Sequence, residues 1–415
     1  MPGKVGLTMV EIAIMGHGVV GSGVVEVLLH NDETITRRAG DAIHIKYILD
    51  LRDFPDSPLA DAFIKDFARI ERDPEVKIVV ECMGGLRPAY DFVKRCLLAG
   101  KSVVTSNKEL IATKGCELLA IAKERNLNLL FEASVGGGIP IIRPMVQCLA
   151  ANRISEIIGI LNGTTNYILT KMVKEGVPFE DALAEAQRLG YAERDPSADV
   201  DGIDACRKIA ILTSLAFGKH VDPDRIYTEG ITGITLKDVA YAEQWGGVIK
   251  LIGRVRLLED GRVMPTVYPA FIPGYSQLST VDDVFNAIMV RGDAIGDVMF
   301  YGRGAGKLPT ASAVVADVVD CVKHIKARKY LFWEESEPDY VEDHAKAKGE
   351  MFLRAETERY DEALAFVKEH FPIVRVLSEP GPELALILTG VEGEIKKTLV
   401  HNDRMEVKSL IHVLD

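Results

Sequence analysis

Asp204 and Lys208 stand four residues apart in the run Asp201 to Phe217, where Ile203, Ile209, Ala210, Leu212, Ala216 and Phe217 recur with a helical period. Side chains at that spacing share one helix face, so a carboxylate and an ammonium would sit side by side. An ammonium next to an oxygen that gains negative charge can give it a proton or stabilise its charge. The plainer alternative is a surface ion pair, worth about 0.2–0.5 kcal/mol. A second lysine, Lys108, follows the strand-like run Ser102 to Thr105. It would lie at that strand's C-terminal end, where open parallel sheets place their ligands.

Gly16-His17-Gly18-Val19-Val20-Gly21 fits G-x-G-x-x-G, between the apolar run Thr8 to Met15 and the helical run Val24 to His30. Strand before and helix after are the context that makes this a dinucleotide fingerprint. The first glycine permits the tight turn, the second lets a pyrophosphate approach the backbone, and the third allows close packing. Gly18, Val19 and Val20 are the expected pyrophosphate contacts, with the helix N-terminus stabilising the phosphate charge. His17 reads as a solvent-facing loop residue. The end of the second strand should choose the cofactor, an acid favouring NAD and an arginine NADP. Both Asp50 and Arg52 are present. Asp50 is nearer the strand end, which leans to NAD without deciding it.

The elements that would position these residues alternate. Ile43 to Leu49, Lys77 to Glu81, Ser102 to Thr105 and Asn128 to Glu132 read as strands, with helices from Pro88 to Ala99 and from Lys108 onward. That alternation predicts βαβ units and a parallel sheet, hence an α/β fold with a Rossmann-type dinucleotide-binding domain over residues 1–139. From Pro140 the pattern becomes α+β, which we assign to a catalytic and dimerisation domain over 140–301. Ile154 to Leu161, Val248 to Leu257 and Val263 to Phe271 are its strands; Asn166 to Glu175 and Phe179 to Leu189 are helices. The helical run Thr310 to Ala327 lies in a segment, 302–330, expected to pack back on the first domain. A charged stretch makes 331–348 a linker. Residues 349–415 read β, α, β, β, α, β, the order of a small ferredoxin-like domain.

The 415 residues suit two or three domains, and 47% hydrophobic content is enough for a sizeable core. No run approaches the roughly 20 apolar residues of a membrane span, and Met1 to Val10 shows no secretory pattern. Both point to a cytoplasmic protein. A net charge of -12 argues against nucleic acid or anionic membranes as generic partners. The six cysteines, Cys82, Cys96, Cys116, Cys148, Cys206 and Cys321, form no C-x-x-C pair and read as reduced thiols.

Five segments, in order, resemble homoserine dehydrogenases: Ser106-Asn107-Lys108, Glu132 to Pro140 (EASVGGGIP), Gly159 to Thr170 (GILNGTTNYILT), Ala186 to Lys208 (AQRLGYAERDPSADVDGIDACRK) and Tyr301 to Ala313 (YGRGAGKLPTASA). The resemblance covers about the first 330 residues. It implies reversible NAD(P)-dependent hydride transfer between L-homoserine and L-aspartate 4-semialdehyde, on the path to threonine, methionine and isoleucine. It also reverses the preference for a surface ion pair. Lys208 is implied as proton donor, with Asp204 orienting the substrate or Lys208, and Lys108 as the competing donor. Glu193 and Asp199 match acidic substrate-binding positions, suited to the substrate ammonium. Thr105 and Lys108 would lie near the nicotinamide, Gly190 would give a backbone contact, and Gly306 would touch the cofactor. Glu132, Val135, Gly137 and Ile139 match a site for a monovalent cation, sodium, of structural rather than catalytic kind.

The last segment resembles ACT domains by element order alone, which implies feedback inhibition by threonine. A homodimer or homotetramer built through the middle domain is implied as well. Two other readings stay open. Another semialdehyde dehydrogenase would need an acylated cysteine, and no cysteine stands in a distinctive catalytic motif, though Cys148 and Cys206 lie close to motifs. A non-catalytic amino-acid sensor is opposed by the joint presence of Lys108, Glu193, Asp204 and Lys208.

Overall fold

The computed structural model describes residues 9–327 and 331–414. Thr8, the rest of the N-terminal segment read for a secretory pattern, residues 328–330 and residue 415 lie outside the described residues. The chain divides into two compact units. The first holds residues 1–153, 210–223 and 302–336; the second holds 154–209, 224–301 and 337–415.

The first unit is built on six strands: β1 (Met9–Met15), β2 (Ala42–Leu49), β3 (Phe63–Ile64), β4 (Val76–Glu81), β5 (Ser102–Thr105) and β6 (Leu129–Leu130). Their order is β3-β2-β1-β4-β5-β6, and every pairing is parallel. This is the doubly wound order of dinucleotide-binding sheets. Central strands of such sheets are covered on both faces, which is why β4 and β5 are near-continuous apolar runs that stay buried. Helix Val19–His30 lies against helix Lys307–Lys323 through Gly23. A Cβ there would come within 2.9 Å of the Lys307 carbonyl oxygen.

The second unit is a mixed sheet of ten strands. Six belong to the middle of the chain: β7 (Ile154–Ile160), β8 (Tyr227–Thr228), β9 (Gly247–Leu257), β10 (Val263–Pro273), β11 (Phe285–Gly292) and β12 (Gly296–Arg303). Four come from the end: β13 (Lys348–Glu356), β14 (Ile373–Val376), β15 (Glu383–Val391) and β16 (Glu406–Val413). Among themselves the last four run β16-β13-β15-β14, the ferredoxin-like order, with helices Tyr360–His370 and Glu392–Val400. Their apolar core includes Met351, Leu353, Val367, Leu386 and Ile395.

This terminal sheet is not free-standing. β16 pairs in parallel with β10, Ala270 opposite His412 and Phe271 opposite Val413. Phe271 stacks on Phe352 at 4.6 Å. Arg354, buried, donates to Asp238 Oδ1 at 2.8 Å and to Ser409 Oγ at 3.0 Å. Asp238 itself belongs to the Thr235 capping box of helix Leu236–Trp245. The preceding charged stretch is also tied down: Tyr340 accepts from the Val263 amide at 3.1 Å, and the Glu342 amide donates back to Val263 at 2.9 Å. Charge in that segment is compatible with an ordered path because Glu342 pairs with Arg262.

Candidate active site

The fingerprint loop is built as its residue types demand. Gly16 takes a φ of 94°, a left-handed conformation open to glycine, and its amide donates to the Leu49 carbonyl at 2.8 Å. A Cβ on Gly21 would fall 1.9 Å from the Gly16 carbonyl oxygen, so the third glycine lets the loop fold onto itself. A Cβ on Gly18 would meet nothing within 4 Å. Gly18 is the N-cap of helix Val19–His30, with no side-chain cap and no acidic residue in the first turn. The first-turn amides lack intrahelical acceptors, so the loop offers an anion-binding helix terminus beside open space, which fits a dinucleotide pyrophosphate.

Asp50 and Arg52 are partners, not independent selectors. Asp50 accepts from the His17 amide at 2.8 Å and from Arg52 Nε and Nη2 at 3.0 and 2.9 Å. The Arg52 guanidinium holds the Asp50 carboxyl well below the usual carboxylate range. Arg52 also donates to the His17 carbonyl at 3.0 Å and lies over the Phe54 ring. The expectation that His17 faces solvent is corrected. Its ring stands edge-on between Phe54 and Phe63, at 4.7 and 5.0 Å, because those aromatic side chains close over the loop. Burial lowers the His17 pKa.

At the end of β5 the order comes from Glu81, which sequence reasoning passed over. Glu81 is fully buried, and burial raises its pKa. It accepts from Thr105 Oγ1 at 2.5 Å and from the Met83 amide at 2.8 Å. Thr105 Oγ1 in turn accepts from the Asn107 amide, and Asn107 caps the helix through the Leu110 amide at 3.0 Å. Lys108 is the first residue of that helix, Lys108–Glu124, and is partly buried. An acid closing an apolar strand (KIVVE) was the available signal.

Glu132 is buried, and both its oxygens already accept backbone amides: Ile141 and Ile142 on Oε1, at 2.7 and 2.8 Å, and Arg143 on Oε2 at 2.8 Å. It caps helix Ile142–Gln147. Val135, Gly137 and Ile139 share the same buried turn. Gly137, at φ 56°, packs so tightly that a Cβ would lie 2.1 Å from the Gly304 carbonyl oxygen. Gly306, at φ 125°, caps helix Lys307–Lys323. We expect Glu132→Ala to cost about 3 kcal/mol or more, since charge-assisted hydrogen bonds are lost and buried amides left unmet. The urea midpoint measures it.

In the second unit, Asp204 and Lys208 open helix Ile203–Phe217. They are 3% and 7% exposed, which removes the surface-pair alternative. Lys208 Nζ donates to Asp204 Oδ2 and to the Leu161 carbonyl, each at 2.7 Å. Asn162 ties the group together: its Nδ2 donates to Asp204 Oδ2 at 2.8 Å and to Asp199 Oδ1 at 2.7 Å. Its Oδ1 caps helix Gly163–Glu175 through the Thr165 amide. Asn162 was not singled out from the sequence, although Asn before Gly-Thr-Thr is an N-cap signal. Thr164 Oγ1 fixes the Tyr191 carbonyl at 2.7 Å. Gly190, at φ 76°, and Glu193, exposed, lie on the segment after helix Phe179–Arg188. The structure thus brings Asp199, Asp204 and Lys208 together and leaves Glu193 on the surface.

Comparison with known proteins adds the decisive observation. The family model described as homoserine dehydrogenase matches residues 140–319, and its NAD binding domain matches residues 16–132. A homoserine dehydrogenase of Pseudomonas aeruginosa is 41% identical over 390 residues, 91% of this chain and 88% of that protein.

The chain belongs to the homoserine dehydrogenase family.

The crystal structure of a homoserine dehydrogenase from Thiobacillus denitrificans has a TM-score of 0.90 to this chain, at 36% identity, covering 99% of each. A hyperthermophilic archaeal homoserine dehydrogenase mutant in complex with NADPH has a TM-score of 0.65 at 30% identity, covering 75% of this chain and 97% of that one. As a homoserine dehydrogenase family member the chain is an NAD(P)-dependent oxidoreductase. Burial pushes the thiols of Cys96 and Cys116 up to about 12, away from the reactive thiolate. Among the described residues, no helix is long and apolar enough to cross a membrane.

Proposed function

We propose that this chain interconverts L-homoserine and L-aspartate 4-semialdehyde with NAD(P), Lys208 giving the proton. The observation that carries the reading is the buried ammonium of Lys208, held between Asp204 and the Leu161 carbonyl. The cofactor, when its pyrophosphate is bound at the fingerprint loop, would supply or receive the hydride through its nicotinamide. In the reducing direction the aldehyde oxygen gains charge as its carbon gains hydride. Lys208 then donates a proton to that oxygen, and in oxidation it takes one back. Asp204 fixes the ammonium, while Asp199 and Glu193 receive the substrate's amino group. Lys108, at the end of β5, is the competing donor. Thr105, Gly190 and Gly306 contribute cofactor contacts. A structural sodium held by Glu132 and the carbonyls of Val135, Gly137 and Ile139 belongs to the same reading, supported by the burial of that turn and its oxygen donors.

Homoserine oxidation followed at the nicotinamide absorbance tests the reading. Turnover with NAD or NADP supports it, and none with either would favour an amino-acid sensor. The same assay addresses cofactor choice. Because Arg52 is exposed and can swing from Asp50 to a 2′-phosphate, Arg52→Ala should lower kcat/KM for NADP about tenfold and leave NAD nearly unchanged. Equal losses for both would remove Arg52 from phosphate recognition.

We also place the chain in the cytoplasm, which the free thiols support, as a homodimer or homotetramer. The edge strand β12 supports assembly, with Met299 and Tyr301 exposed on it. Threonine is the proposed effector at the ACT-like segment 349–415, by its strand order. Removing that segment would strip β16 from β10, so the full chain is the right material. Threonine at millimolar concentration is expected to bind by calorimetry and slow homoserine oxidation. No heat and no inhibition would reject it.

A further inference from the structure

Three side chains far apart in sequence converge beneath the joined sheet of the second unit. His344 begins the 3-10 turn His344–Lys346, Glu392 begins helix Glu392–Val400, and His412 lies on β16 opposite Ala270. Their exposures are 8%, 3% and 6%, so each is more than nine-tenths buried. One ligand atom from each lies within 4.8 Å of the others.

The contacts among them are close but poorly met as hydrogen bonds. His344 Nε2 touches Glu392 Oε2, yet neither atom has a hydrogen-bond partner, and His344 Nδ1 and His412 Nε2 have none either. Glu392 Oε1 lies 2.6 Å from His412 Nδ1. Buried polar atoms are nearly always satisfied, so such a group calls for a missing partner. Aromatic faces wall it in: Tyr227 stacks on His344 at 4.2 Å and Tyr268 on His412 at 3.9 Å. A cavity of about 500 Å³, lined by Tyr227, His344, Glu392 and Lys396 among others, gives a route from solvent. The nearby cation Lys396 donates to the Tyr227 hydroxyl at 2.7 Å.

We propose that His344, Glu392 and His412 form a zinc site. Two imidazoles and a carboxylate are a donor set that zinc takes, with a fourth position for water. An ion about 2.0–2.1 Å from each donor would set them about 3.4 Å apart, so Glu392 Oε1 and His412 Nδ1, 2.6 Å apart here, would separate slightly to admit it. The site is separate from the residues assigned to hydride transfer and to the monovalent cation. Its effect is structural: one ion joins the segment ahead of β13, the last helix and the last strand where β16 meets β10.

The test uses the full chain purified without chelator. Elemental analysis is expected to find about one zinc per chain, and zinc added back after chelation should raise Tm. Cobalt in its place should give the visible absorption of a tetrahedral ion. His344→Gln and Glu392→Gln should each weaken zinc binding at least as much as loss of an outer partner does, about 10–100-fold, with homoserine turnover at saturating substrate unchanged. Wild-type protein that neither retains zinc nor shifts in Tm overturns the proposal, independently of how the variants fold. Equal zinc affinity in wild type and both variants overturns it too, by placing the ion elsewhere.

Discussion

Lys208→Ala is expected to lower kcat about 100- to 10,000-fold, the usual range for removing a positioned acid or base, while NAD(P) binding persists. The Lys208 ammonium is too well placed to be a passive surface charge. It is 7% exposed and fixed by Asp204, on helix Ile203–Phe217, and by Leu161, just after β7, and Asn162 ties Asp204 to that strand end. Cofactor binding should survive because the fingerprint loop belongs to the other unit. Steady-state rates and cofactor titration by fluorescence measure the two halves of this prediction. Lys108→Ala is the control. If its loss in kcat is the large one and Lys208→Ala turns over normally, the donor is Lys108. Asn162→Ala should act through Lys208, lowering kcat less than Lys208→Ala and shifting the pH profile.

The second large effect separates two glycines of one motif. Gly21→Ala must push its new carbon off the Gly16 carbonyl, 1.9 Å away, so the loop has to open. Overpacking of this kind typically costs about 1–3 kcal/mol, and a distorted loop should bind cofactor at least about tenfold more weakly, since a mere 1.4 kcal/mol is tenfold. Gly18→Ala meets no protein atom within 4 Å. It should leave Tm unchanged yet weaken cofactor binding, because the space it fills is where the pyrophosphate would approach. Equal Tm losses in the two variants, or unaltered cofactor affinity in Gly18→Ala, would contradict this assignment of roles. Melting curves and cofactor titration distinguish all of these outcomes.

What could be read in advance follows from the range of the physics involved. The parallel sheet was legible because strands buried on both faces are written as apolar runs, and β1, β4 and β5 are such runs. The shared face of Asp204 and Lys208 was legible because helical spacing is local. Their burial was not, since it depends on Asn162 and Leu161, some 40 residues earlier. Glu132 shows another limit. That it accepts the amides of Ile141, Ile142 and Arg143 could not be read from the sequence, because only the folded turn brings them near. His17 looked exposed because nothing local shows Phe54 and Phe63 closing over it. Likewise, element order revealed the ferredoxin-like arrangement of the last segment. It could not reveal that β16 would add to β10, because pairing between strands this distant leaves no periodic mark.

The most direct measurement of the central claim is a structure of the chain with a nicotinamide cofactor and homoserine both bound. The account predicts Lys208 Nζ within hydrogen-bonding distance of the substrate hydroxyl, whose carbon faces the nicotinamide C4. A ternary complex in which that amine points to solvent, with Lys108 or water at the hydroxyl, would contradict it.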